Sequence, residues 1–251
     1  MKKVLLGIVG TLLVLVITAG LIFRANFVYI DGEINNRDEK DLYFVYMPAT
    51  RISELNRCKN VEYLHVININ SEQIEKMRVF EDLKYLRLRN QLLDLNAPEF
   101  EKINQFPKLV WLDLLCYNVD LSSLKNDSIT HIEFEGGKYT FDDKGFLSGC
   151  PNLESLRIQN STIKGFITSI WNEDYNNASY TLEDSSFLSD LDKVKTLVLD
   201  TMIVEDISGI LEMDSLEELS LIQCTIPEEF KKALEDKGID VMIQGSQTYI
   251  K

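Results

Sequence analysis

Apolar residues recur in a fixed arrangement along most of this chain. Within each copy they are spaced three and then two positions apart, and successive copies begin 22, 26, 20, 24, 41 and 22 residues after one another. The seven triplets are Val61-Leu64-Val66, Leu83-Leu86-Leu88, Leu109-Leu112-Leu114, Ile129-Ile132-Phe134, Leu153-Leu156-Ile158, Val194-Leu197-Leu199 and Leu216-Leu219-Leu221. Because successive side chains of a strand point to opposite faces, the spacing of two predicts a short strand with one buried face in every copy.

The residues that precede each triplet follow a different period. Apolar side chains stand three and six positions before most triplets, as Phe80 and Met77 do in the second copy. A period of three suits a short helix or 3₁₀ turn on the outer side of each unit. The fourth copy has Asn126 and Ser123 at these positions, which predicts a shortened outer segment. No single unit encloses its own apolar side, so stacked neighbours must supply the core.

The repeat resembles the leucine-rich repeats of bacterial membrane-anchored or surface proteins with irregular units. The segment Leu216–Ile226, LEELSLIQCTI, fits the family pattern L-x-x-L-x-L-x-x-N/C-x-L almost throughout. The resemblance covers about residues 41–243 and implies an α/β solenoid, a curved stack with a parallel β-sheet on its concave side. In the other copies the Asn/Cys position holds other residue types, so we expect the side-chain hydrogen-bond ladder of regular members to be mostly absent.

An uncharged apolar run precedes the repeats. Residues Val4–Phe23 would form a helix about 30 Å long, the thickness of the hydrocarbon core of a bilayer. Lys2 and Lys3 precede the run, so the positive-inside rule places the repeats outside the cytoplasm. This pattern predicts a single-pass signal-anchor helix over residues 1–24 that holds the chain at the cell membrane. The alternative is a signal peptide cleaved after a weak site around Ala19, which would release a secreted protein.

The rest of the chain divides into two parts. Residues 25–40 are expected to be a polar connector with turns at Asp31-Gly32 and Asn35-Asn36, and residues 41–251 to be the repeat domain. The segment Asp41–Met47 reads as a divergent first strand that buries Leu42 and Phe44. At the far end, Pro227–Lys237 predicts an amphipathic helix ended by Gly238, with a last strand over Val241–Ile243.

The 41-residue interval between the fifth and sixth triplets contains an irregular or inserted segment at about 164–187. One interpretation is a degenerate extra unit, with Phe166–Ile170 as its strand and the polar stretch Asn172–Ser179 as a loop. The other is a protruding loop alone, which in a solenoid often carries binding. We favour the extra unit with its loop.

Charge and chemistry narrow the possible functions. The chain has 26 basic and 40 acidic residues and a formal net charge of −14, which disfavours nucleic acid as a partner. Three of the four cysteines occupy positions otherwise filled by core residues, so we expect buried thiols rather than disulfides. His65 and His131 lie three strands apart, at about 14 Å, too far to share a metal ion. With no catalytic, phosphate-binding or calcium-loop motif in the sequence, we expect no enzymatic activity, no cofactor and no metal.

One group of residues is a candidate binding surface. The residues between the buried apolar positions should line the concave side, and in four successive units they are mainly aromatic or charged. They are Tyr63, His65, Tyr85, Arg87, Arg89, Trp111, Asp113, His131 and Glu133. Tyr, Trp and Arg dominate the energetics of protein interfaces, which favours partner binding here. The alternative is that cross-strand aromatic neighbours stabilise the sheet and bind nothing.

The sequence therefore predicts a non-catalytic, extracytoplasmic recognition module that binds a protein or peptide on its concave face. The first alternative is a structural envelope scaffold or spacer without a specific ligand. The second is a carbohydrate-binding surface protein, for which exposed Tyr and Trp are the only support.

Overall fold

The computed structural model describes residues 2–171 and 178–245. The chain begins with helix α1 (Lys2–Asn26). Its segment Val9–Asn26 has a mean hydropathy of 1.8 and no part of it is buried against the rest of the chain. The helix is thus long and apolar enough to cross a membrane, as the sequence predicts.

The expected connector is instead a β-hairpin. Strands β1 (Phe27–Ile30) and β2 (Glu33–Asn36) pair antiparallel. The turn is the predicted Asp31-Gly32 pair, with φ of 53° and 82°, whereas Asn35-Asn36 lies within β2. Val28 and Ile30 are buried in the core. The alternation of buried and exposed residues in β1 explains why this stretch is part of the fold rather than a polar spacer.

The concave sheet is a ladder of parallel strands, one from each unit. They are β3 (Asp41–Tyr46), β4 (Tyr63–Ile67), β5 (Tyr85–Leu95), β6 (Trp111–Asp120), β7 (His131–Glu135), β9 (Ser155–Gln159), β13 (Thr196–Asp200), β15 (Glu218–Ile222) and β16 (Asp240–Gln244). From β4 to β15 the central residues of the triplets face one another without a register shift, beginning with Leu64 opposite Leu86. All the triplet residues are buried. The predicted leucine-rich-repeat solenoid is confirmed.

A second ladder runs beside the first. It contains the carboxyl-terminal halves of β5 and β6 and five short strands, which are β8 (Lys138–Thr140), β10 (Thr162–Ile163), β11 (Ile167–Trp171), β12 (Ala178–Leu182) and β14 (Ile203–Val204). In five units the chain passes from the first ladder toward the second through a residue with positive φ. These residues are Asn68, Gly136, Asn160, Thr201 and Gln223. Four of their amides donate to the last residue of the neighbouring strand, and that of Asn68 donates to Arg89 within β5, so the turn itself repeats along the stack.

The irregular segment adds a hairpin to the second ladder and no unit to the first. Strand β9 pairs directly with β13, with Leu156 opposite Leu197. Strands β11 and β12 pair antiparallel with each other and sit between β10 and β14. The expected strand at Phe166–Ile170 exists as β11, but the extra-unit interpretation is wrong because a repeat unit would add a parallel strand to the concave sheet. Residues 172–177 of the expected polar loop lie outside the described residues.

The outer side carries short helices. They are α2 (Ile52–Leu55), α3 (Ser71–Glu75), α4 (Ala97–Ile103), α5 (Ser208–Glu212) and α6 (Glu228–Lys237), with 3₁₀ turns at Leu121–Ser123 and Ser186–Leu188. The fourth unit has only a 3₁₀ turn, as its short length predicts. Asn126 is buried there, and its side-chain amide donates to the carbonyl of Phe106 at 3.1 Å. Helix α6 starts after Pro227 and ends at Gly238 with φ of 84°, as expected.

One predicted core position is wrong. Phe44 is 58% exposed with φ of 59°, and Val45 is buried in its place. A β-bulge between Leu42 and Val45 shifts the register of β3 against β4, so Val45 faces Val66. The bulge turns the Phe44 ring out of the core, where it contacts His65 at 4.7 Å between ring centroids.

Candidate binding surface on the concave face

Four rings form a continuous row across β4 to β7, which we call the aromatic ladder: Tyr63, Tyr85, Trp111 and His131. The ring centroids of neighbours are 6.1, 5.8 and 5.0 Å apart, and the Trp111 and His131 planes are stacked at 18°. The in-register pairing of the strands produces this row, because the same position of each unit lands on the same line. Tyr63 is 39% exposed and the other rings are half-buried, so the ladder presents ring area to solvent.

A charged network lies beside the ladder and consists of Arg87, Arg89, Asp113 and Glu135. Arg87 Nε lies 3.0 Å from Asp113 Oδ2, and another nitrogen of the same guanidinium donates to Glu135. Arg89 lies 3.6 Å from the second oxygen of Glu135. The hydroxyl of Tyr85 donates to Asp113 Oδ2 at 3.2 Å, which joins the ladder to the network. The two groups therefore form one connected surface on β5, β6 and β7.

Burial shifts the protonation equilibria of this surface. Burial raises the pKa of Asp113 to about 6, opposed chiefly by the positive charge of Arg87. Burial, followed by the charges of Arg87 and Arg89, lowers the pKa of His65 to about 4. Burial also raises the pKa of Glu133. Burial and then the negative charge of Asp113 raise the pKa of Tyr85 to about 12. At neutral pH this surface therefore carries an ionised Asp113 and a neutral His65.

Buried polar atoms without a hydrogen-bond partner are concentrated on this surface. Among the residues that the structure describes, they are His65 Nε2, Arg87 Nε, Trp111 Nε1, Asp113 Oδ1 and Arg157 Nε. Arg87 Nε lies close to Asp113 as an ion pair, without hydrogen-bond alignment. A buried polar group left without a partner costs about 1–3 kcal/mol, so proteins tolerate few of them. All five atoms lie on the concave strands β4, β5, β6 and β9.

The nine predicted residues lie on the four adjacent strands β4 to β7, but only some of them contact one another. Tyr63, Tyr85, Trp111 and His131 form the ladder, and Arg87 joins Asp113. Arg89 reaches this pair only through Glu135, and His65 contacts the ring of Phe44 rather than a charged neighbour. Glu133 faces Asp113 across the strand pair without a hydrogen bond to the network.

Three participants are not among the nine predicted residues: Glu135, Phe44 and Arg157. Glu135 is two residues beyond Glu133 on the same face, so the strand alternation places it on the concave side as well. Arg157 occupies the Asp113 position two strands further along and pairs with Asp200 of β13. Phe44 depends on the bulge in β3, for which the sequence shows no signal.

A cavity of about 590 Å³ opens where the concave strands end, between β6, β7 and the β11–β12 hairpin. Glu135 lines it together with Tyr117, Asn160, Ser169 and Tyr180, so the cavity adjoins the charged network. Its size lies within the range of small-ligand sites. Separately, within residues 2–171 and 178–245, no group of three or more His, Cys, Asp or Glu side chains is placed to hold a metal ion.

No family model and no curated protein matches the sequence. The fold is similar to that of an internalin C2 from Listeria monocytogenes, which is 18% identical with a TM-score of 0.45 over 80% of this chain and 85% of that one. An internalin, inlF, from the same organism is 16% identical with a TM-score of 0.48, over 80% and 66% of the two chains. A chain of the TLR13–ssRNA13 complex is 14% identical with a TM-score of 0.31, over 78% and 37%. The assignment of the fold rests on the strand register described above.

Proposed function

We propose that this chain is a non-catalytic recognition module, anchored in a cell membrane by α1, that binds a protein or peptide through the aromatic ladder and the charged network. The observation that carries the proposal is the coincidence of half-exposed rings with the unpartnered buried atoms on the same strands. A chain that gained nothing from a ligand would have little reason to collect such atoms on one face.

The chemistry of the surface favours a peptide-like partner. Trp111 Nε1 and Arg157 Nε offer unpartnered N–H donors, while Asp113 Oδ1 offers an unpartnered acceptor. A peptide backbone supplies both a carbonyl and an N–H at every residue, so it complements such a mixed set. The half-buried rings and guanidiniums must rotate for a partner to reach these atoms. Aromatic side chains beside arginine are also the residues that most often dominate protein interfaces.

The proposed location outside the cytoplasm has its support in Lys2 and Lys3, which precede the apolar run Val4–Phe23, and in the length of the apolar helix. Leu92 is 90% exposed, and all four native cysteines are buried. A Leu92→Cys variant in intact cells should therefore react with a membrane-impermeant maleimide, while the parent chain should not. Labelling only after cell lysis would place the repeats in the cytoplasm.

The binding site itself is tested with peptides selected from a displayed library on the full chain in lipid nanodiscs. The Tyr85→Ala/Trp111→Ala variant should lose about 30-fold or more in peptide affinity, because each ring is expected to be a hot spot. Its circular dichroism spectrum should stay unchanged. Tyr117→Ala is the matched control, since Tyr117 is 53% exposed on the same strand but lies outside the ladder.

The outcome separates the alternatives. Full affinity in the double variant would move the site elsewhere, first to the β11–β12 hairpin. Selection of no saturable peptide, together with no saturable partner from the parent cells, would favour the envelope scaffold.

The cavity beside β11–β12 supports carbohydrate binding as the second candidate. Its lining combines the rings of Tyr117 and Tyr180 with the amide of Asn160 and the hydroxyl of Ser169, groups that suit a neutral sugar. Binding on a glycan array that Tyr117→Ala abolishes and Trp111→Ala leaves intact would favour this function over peptide recognition.

A further inference from the structure

Helix α1 joins the solenoid without a linker. The helix ends at Asn26 and β1 begins at Phe27. The solenoid also supplies donors to the last carbonyls of the helix. The backbone amide of Arg37 donates to Asn26 at 2.8 Å and its guanidinium donates to Ala25 at 3.3 Å. The guanidinium of Arg57 donates to the carbonyls of Arg24 and Phe27. A helix end normally leaves these carbonyls to water. Here they accept hydrogen bonds from Arg37 and Arg57, which fixes the helix to the repeats.

An exposed apolar surface continues from the helix onto the hairpin. Phe23, in the last turns of α1, stacks on Phe27 with ring centroids 5.0 Å apart. Tyr29 and Ile34 face each other across the β1–β2 pair. These four side chains, which we call the hairpin face, are 48%, 37%, 54% and 61% exposed. They point away from the core because Val28 and Ile30 take the inward positions of β1.

We propose that the hairpin face lies in the interfacial layer of the same bilayer that α1 enters, so that the membrane orients the concave sheet. This inference rests on the membrane anchoring proposed above. The continuity of the hairpin face with the apolar surface of α1 selects lipid as its occupant. A second copy of the chain or a protein partner has no comparable support, since neither explains why the apolar surface begins on the helix.

The dimensions agree with this placement. At 1.5 Å per residue, the 20 residues of Val4–Phe23 span about 30 Å, the thickness of the hydrocarbon core. Phe23 then lies at the edge of that core, and the hairpin lies at the level of the headgroups. Tyrosine is enriched at this level because its ring is apolar and its hydroxyl is polar.

Two arginines complete the surface. A groove of about 340 Å³ between the helix end and the hairpin is lined by the hairpin face together with Arg24, Val28, Glu54 and Arg57. Arg57 pairs with Glu54, whereas the exposed Arg24 forms no ion pair with any residue that the structure describes, so its guanidinium can meet a lipid phosphate. The strongly acidic remainder of the chain would be repelled by anionic headgroups, which limits the contact to this end of the solenoid.

The test is electron paramagnetic resonance of the full chain in phosphatidylcholine–phosphatidylglycerol vesicles, with a nitroxide at Ile34→Cys. The native thiols are buried, so the introduced cysteine is labelled selectively. Met242→Cys on β16 is the control, because Met242 is 54% exposed at the opposite end of the stack. The label at position 34 should collide with oxygen severalfold more, and with a water-soluble nickel complex severalfold less, than the label at position 242.

Equal accessibilities at the two positions would overturn the inference. Dipolar broadening between labels at position 34 of two chains would also overturn it, in favour of a second copy as the occupant. Carbonate extraction distinguishes the two proposals. Release of the chain from the vesicles would refute the anchoring itself, whereas a retained chain with a water-exposed label at position 34 would refute only the contact of the hairpin face.

Discussion

Arg87 Nε lies 3.0 Å from Oδ2 of Asp113, and the two side chains differ sharply in burial, at 25% and 1% exposed. The pair joins β5 to β6, and Glu135 of β7 accepts a hydrogen bond from the same guanidinium. The charge of Asp113 thus depends on a cation that is itself partly in solvent and shared with a second carboxylate.

Arg87→Met should destabilise the chain by about 3 kcal/mol, because it leaves the Asp113 carboxylate buried without a cation. The Arg87→Met/Asp113→Leu variant should recover most of that loss, since both charges are replaced by apolar groups of similar size. Urea unfolding in detergent micelles measures both variants. If Arg87→Met alone were as stable as the parent chain, the ion pair would not stabilise the fold.

The pH dependence of stability should contain two opposing contributions from this surface. Asp113 has a folded pKa of about 6, above its ordinary value of 3.8. Its stabilising contribution to folding is therefore fully present below about pH 4 and is lost as the pH rises through 6. His65 has a folded pKa of about 4, below its ordinary value of 6.5, so its contribution is complete above 6.5 and is lost as the pH falls through 4.

Replacing either ionisable group should reveal the pH-dependent contribution of the other to stability. In Asp113→Asn the urea midpoint should rise more steeply with pH between about 4 and 6.5 than in the parent chain. In His65→Gln it should fall more steeply over the same range. Only the slopes are compared, since each substitution also changes the absolute stability. Parallel curves for all three proteins would contradict the assigned pKa shifts.

The concave sheet was predictable because its buried residues repeat with a period that only a stack of parallel strands satisfies. The bulge in β3 was not, because Phe44 and Val45 are both apolar and the sequence cannot say which one enters the core. The strand at Phe166–Ile170 was expected, but its antiparallel pairing with β12 was not, since a single insertion has no period. The role of Glu135 depends on the reach of Arg87 across β6, a distance that strand alternation does not encode.

Gly137 should be the least replaceable glycine of the second ladder. A Cβ there would lie 1.9 Å from the carbonyl oxygen of Cys116, at a backbone φ of 78°. Gly165 has a similar φ of 84° but nothing within 4 Å of the added Cβ, so it is the matched control.

Gly165→Ala should cost about 1–2 kcal/mol, the strain of a left-handed backbone alone. Gly137→Ala adds the overlap with β6 and should cost about 3 kcal/mol or more. Urea unfolding of both variants isolates the steric part as the difference between them. Equal losses of stability in the two variants would mean that the backbone of the second ladder shifts to accommodate the added Cβ, and that the close approach to Cys116 is not required.

The four cysteines should be unreactive in the folded chain. Burial raises the pKa of Cys58 and Cys224 to about 11 and that of Cys116 and Cys150 to about 12. Since the thiolate is the nucleophile, a thiol of pKa 11 has only about one reactive group in a thousand at pH 8, and its burial blocks access as well. Iodoacetamide at pH 8 should therefore add nothing to the native protein and four carbamidomethyl groups in urea, as counted by intact mass. An adduct formed on the native chain as fast as on glutathione would show that one repeat unit unfolds locally, and peptide mapping would identify which unit.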